Sequence, residues 1–163
     1  MDFHPRDGKR VGAWCGSYRT RTYRDGENLD PIVYIVCNFT RPQGDNPALL
    51  TLDETETFFH EFGHALHTLF TDVPYKGLQR VERDFVELPS QIMENWATEP
   101  SMLRKYALHY RDNRVIPDNL IDKISRSAQF NQGFATTENL AACYIDMDIH
   151  TISDYTPIDL TAY

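Results

Sequence analysis

The stretch from Thr51 to Phe70 constrains the fold most, because it declares its own helix boundaries and then departs from what a half-buried helix usually carries. Thr51 followed by Glu54 is a capping box, in which each side chain satisfies a main-chain N–H that the first helical turn leaves unpaired. Asp72 and Pro74 stop the pattern beyond Phe70. Between these limits lies FFHEFGHALH, Phe58 to His67, with three histidines and a glutamate set among aromatic and small apolar residues. A helix meant only for packing has no use for them.

Two histidines four apart on a helix differ by about 40° around the axis and about 6 Å along it, so His60 and His64 project side by side and can share one metal ion. Glu61 is turned by about 100° and does not join them, but its carboxylate can reach a water held at an open coordination position. This is the HExxH arrangement of metallopeptidases, in which the glutamate acts as a base on water acidified by Zn²⁺. Gly63, without a side chain, lets a strand or a substrate pass close to the helix. A shuffled chain of this composition carries HExxH roughly once in a hundred, so context has to decide.

A catalytic zinc needs a third protein ligand, and two His with one Glu is a known set. Glu82, Asp84, Glu87, Glu94 and Glu99 all lie at a suitable distance downstream. In helical register Glu87, Gln91 and Glu94 share a face, which offers both a ligand and a second carboxylate behind it. Spacing alone does not choose between Glu87 and Glu94. Asp84, Glu94 and His67 are candidates to hold a ligating imidazole from behind. Phe58, Phe59, Phe62 and Phe70 recur at helical spacing and read as core.

Upstream, residues 10 to 18 and 32 to 39 are rich in Val, Ile, Tyr and Phe and are bounded by Asp-Gly, Asp-Pro and Arg-Pro-Gln-Gly, which predicts two strands. Gly12 and Ala13 on the first could hydrogen-bond an extended peptide by strand addition. Downstream the periodicity is helical over Asp84 to Trp96, with Pro89 in its first turn or at a kink, then over Ser101 to Asp112, Pro117 to Gln129, and about Gly133 to His150. The fold class is therefore mainly α, an α+β chain with a small antiparallel or mixed sheet near the N-terminus. The 163 residues suit one domain. A net charge of −8 argues against nucleic acid or an anionic membrane as partner. No apolar run reaches the length of a membrane span. Three scattered cysteines without CxxC favour a reducing compartment and no thiolate metal site. Both ends read as cuts through a longer chain.

HEFGHALH followed by DFVELPSQIMENW resembles the thimet oligopeptidase and peptidyl-dipeptidase family of zinc metallopeptidases, and VCNFTRPQGDNPALLT and FNQGFATTENLAACYIDMDIH extend the resemblance over nearly the whole chain. It implies a zincin-like helical core forming one segment, residues 1 to 163, of a longer catalytic domain. It also implies one Zn²⁺ per chain held by His60, His64 and Glu87, with Glu61 as general base and short peptides as substrates. ENWATEP and ALHY look closer to the bacterial dipeptidyl carboxypeptidases than to the endo-acting oligopeptidases. Family members are longer, and a Tyr- and Gly-rich segment with a histidine that serves the oxyanion lies beyond this chain. The remainder of the parent chain is therefore an expected partner, and a cytoplasmic location is expected, with a periplasmic one as the alternative.

Overall fold

The computed structural model describes residues 1–153. The chain separates into two compact units, the first Met1–Ile121 and the second from Asp122 onward. The elements in order are β1 (Trp14–Arg19), β2 (Thr22–Arg24), β3 (Glu27–Leu29), β4 (Ile32–Val36), α1 (Leu52–Phe70), α2 (Leu88–Thr98), α3 (Pro100–Tyr106), α4 (Asp118–Ser127) and α5 (Gln132–His150). A 3-10 turn, Lys76–Gln79, lies in the α1–α2 connection. The chain is thus helix-rich with little sheet, as expected.

The two expected strands pair antiparallel, β1 with β4, in a register that sets Trp14 opposite Val36 and Cys15 opposite Ile35. Two strands do not make the whole sheet content, however. β2 and β3 form a separate hairpin around Asp25 and Gly26, both at positive φ, where the Asp-Gly pair suits the turn. The N-terminal segment lies along β4 through Asp2 N–H to Ile35 O (2.9 Å) and Cys37 N–H to Asp2 O (2.8 Å). Lys9, almost fully buried, donates to the Asp2 carboxylate and to the main-chain oxygens of His4 and Cys37.

The capping box at α1 forms as read: Glu54 N–H donates to Thr51 Oγ1 at 3.1 Å, and Thr51 N–H to Glu54 Oε2 at 2.9 Å. The inner faces of β1, β4 and α1 enclose a small core of Ile35, Cys37, Phe39 and Ala65, with Phe3, Ala13, Cys15, Val33, Phe58 and Phe62 against it. Phe70, expected in that core, is 77% exposed, because it is the last residue of α1. α2 begins at Leu88 rather than Asp84, with Pro89 in its first turn and no kink. α3 ends at Tyr106, short of Asp112, because Ile116 N–H donates to Ala107 O and a bridge joins Leu108 to Val115. α4 and α5 fall within a few residues of the expected spans. Among the described residues no helix is long and apolar enough to cross a membrane.

Candidate metal centre

Helix α1 places His60 and His64 one turn apart, their ring centroids 4.9 Å from each other and their planes nearly perpendicular. Helix α2 packs across α1 at Gly63, which acts as the joint between the two. A β-carbon there would lie 2.6 Å from Ser90 Cα and 2.7 Å from Pro89 O. What passes close to Gly63 is therefore the first turn of α2, rather than a strand or a substrate. That approach brings Glu87, at the N-cap of α2, over the two imidazoles. Glu87 Oε2 is 3.3 Å from His60 Nε2 and 3.2 Å from His64 Nε2.

Those separations fit a metal. Ligands about 2.0–2.1 Å from a tetrahedral zinc stand about 3.3–3.4 Å from one another, close to the two edges observed. One ligand atom from each of His60, His64 and Glu87 lies within 4.8 Å of the others. Burial holds the His64 imidazole below its ordinary range against the opposing pull of Glu87, so at neutral pH it offers a lone pair. His60 Nδ1 is 2.6 Å from Glu94 Oε1, a contact that puts its proton on Nδ1 and leaves Nε2 free to ligate.

Glu61 is 6% exposed, and its Oε2 is one of two buried side-chain oxygens without a partner among the described residues. Burial pushes its carboxyl above the usual carboxylate range; the Glu87 carboxylate adds to this, while His60 and the Cys15 main chain oppose it. The other unpaired oxygen is Gln79 Oε1. Both residues line one cavity of about 600 Å³, bounded by His60, His64 and Glu87 on one side and by Ala13 to Ser17 on the other. Among the described residues β1 pairs only with β4 in its sheet, which leaves its other edge without a strand partner.

The remaining sequence candidates divide. Glu94 meets His60, whereas Asp84 is exposed in the turn before α2 with no hydrogen bond to either histidine. His67 lines the same cavity as His60 and His64 and lies edge-on to Phe85 at 6.4 Å, with no side-chain hydrogen bond to either imidazole. Gly12, at φ +93°, precedes β1, and its carbonyl already accepts from Asn38 Nδ2 at 2.7 Å. Ala13 lines the cavity. Sequence reasoning passed over Ser90, wholly buried, whose Oγ lies 2.9 Å from Glu87 Oε2. The signal was there in DFVELPSQ, where a hydroxyl follows Glu87 by one helical turn.

The sequence model of peptidase family M3 matches residues 1–162. The chain belongs to this family. It is 41% identical over 155 residues to dipeptidyl carboxypeptidase of Escherichia coli K12, covering 94% of this chain and 22% of the relative. It is 37% identical to oligopeptidase A of the same organism, covering 92% and 23%, and 36% identical to the thimet-like oligopeptidase of Dictyostelium discoideum, covering 93% and 23%. This M3 chain thus spans about a fifth of the length of the curated relatives it matches.

Proposed function

We propose that this chain is a segment of the catalytic domain of a zinc-dependent peptidase, with a zincin-like core, acting on short peptides and releasing C-terminal dipeptides. His60, His64 and Glu87 would hold the ion, and the observation that carries the reading is their convergence around Glu87 Oε2. When bound, zinc supplies a positive charge that polarises the scissile carbonyl and acidifies a water. Glu61 takes the water proton on its free oxygen and delivers it to the leaving amine, a transfer that its raised proton affinity favours. Glu94 holds the proton of His60 on Nδ1. The unpaired edge of β1 binds the peptide main chain, and a cavity of about 600 Å³ accommodates a short extended segment. Release of dipeptides is favoured over internal cleavage by the 41% identity to a dipeptidyl carboxypeptidase against 37% to an oligopeptidase.

A site that binds zinc without turnover is the competing reading, and Glu61 separates the two, since a purely structural site has no use for a carboxylate there. In the full-length parent peptidase, Glu61→Gln should retain stoichiometric zinc and lower kcat by about a hundred- to ten-thousandfold. Unchanged turnover would refute the assignment. Product analysis on a blocked tripeptide or longer substrate should yield C-terminal dipeptides; internal cuts would shift the assignment to the endo-acting branch.

A further inference from the structure

We propose that Ser90 is the positioning residue that turns Glu87 into a metal ligand; this rests on the metallopeptidase reading above. Glu87 needs such a partner. It sits at the N-cap of α2 with its side chain half exposed, and it makes no capping hydrogen bond with the helix it precedes. Apart from the two imidazoles it would share with the ion, Ser90 Oγ is the group that contacts its carboxylate among the described residues.

The Ser90 hydroxyl has one proton and two acceptors at 2.9 Å, Glu87 O and Glu87 Oε2. The main-chain oxygen already receives the Gln91 N–H at 2.9 Å, whereas among the described residues Oε2 receives no main-chain N–H. The proton therefore goes to Oε2, the same atom that faces His60 Nε2 and His64 Nε2. With no exposed surface, Ser90 has no water to turn to, so its one donor is committed. Its position is fixed in turn by Gly63, whose missing side chain is what lets Ser90 Cα reach α1. The Gly63 joint, the Ser90 hydroxyl and the Glu87 carboxylate form one chain of contacts that sets which oxygen meets the ion.

The test uses the full-length peptidase carrying Ser90→Ala, which removes a single atom from the fold. Zinc affinity is read by chelator competition, and the geometry by the absorption spectrum of the cobalt-substituted protein. The expected result is zinc binding about 10- to 100-fold weaker, an altered cobalt spectrum, and activity restored by excess zinc. A merely structural role for Ser90 predicts a lower melting temperature of the metal-free protein with zinc affinity within about twofold of wild type, and that result overturns the proposal. Failure of the wild-type protein itself to bind zinc would instead overturn the metallopeptidase reading on which this one rests.

Discussion

His60 Nδ1 and Glu94 Oε1 stand 2.6 Å apart, joining α1 to α2 directly behind the atom that would ligate a metal. The contact fixes both the tautomer and the tilt of the imidazole. Replacing Glu94 with Gln keeps the shape but puts a neutral amide where a carboxylate accepted the Nδ1–H hydrogen bond. Zinc affinity of the full-length protein, measured against a chelator, should fall by about 10- to 100-fold, with the His64 side of the site unchanged.

Gly63→Ala tests the joint between the helices. Alanine gains about 1 kcal/mol of helix propensity over glycine, which alone would stabilise α1. Against it stand contacts of 2.6 and 2.7 Å to Ser90 Cα and Pro89 O, both on rigid main chain at the start of α2. Overpacking costs about 1–3 kcal/mol, and with backbone as the obstacle the upper end applies, so the net effect is destabilisation. Denaturant unfolding should show a lower midpoint, and zinc affinity should fall with it, because Glu87 is carried by the displaced turn.

Glu54 gives the fold a pH dependence at its acid end. Partial burial pushes its carboxyl up, but hydrogen bonds from the main chains and hydroxyls of Thr51 and Thr40 outweigh this and hold it below the ordinary carboxylate range. A carboxyl with a depressed folded-state pKa contributes stability above its unfolded value of 4.5, and that contribution disappears as pH falls through the folded value. The melting temperature of wild type should therefore exceed that of Glu54→Gln at neutral pH, and the difference should shrink as pH drops below 4.5.

Helix α1 was legible because every local signal agreed: Thr51 and Glu54 at its start, Asp72 and Pro74 beyond its end, and His60 and His64 at one-turn spacing. The candidate for a third ligand was not legible from spacing, since Glu87 and Glu94 share a helical face; the resemblance implies Glu87, and the fold brings Glu87 Oε2 to both imidazoles and Glu94 to the far side of His60. Asp84 to Glu87 continue the helical pattern in sequence, but the chain makes turns there and α2 starts only at Leu88. The β2–β3 hairpin escaped notice because its strands are three residues each and its Asp25-Gly26 turn reads equally well as a strand boundary. What holds it is tertiary: Arg21 donates to Leu69 O and Thr71 O at the end of α1, and Tyr23 to Asp72. Ser90 was passed over because a serine in a first helical turn is common, and only the packing at Gly63 shows it buried.

Arg21→Ala follows from that tie. Losing the guanidinium leaves two carbonyls at the C-terminal end of α1 without their donor and frees the hairpin. Hydrogen bonds to charged groups contribute about 1.5–3 kcal/mol, less where solvent reaches them, so destabilisation of about 1–2 kcal/mol is expected. Amide exchange should quicken in β2, β3 and the last turn of α1 while Phe58 to His64 stay protected.

Anomalous scattering at the zinc edge from crystals of the full-length peptidase would locate the ion proposed among His60, His64 and Glu87. A single peak should lie about 2.0–2.2 Å from His60 Nε2, His64 Nε2 and Glu87 Oε2. A zinc peak elsewhere, or a zinc-replete protein whose Glu87 carboxylate turns away from the two imidazoles, would contradict that proposal.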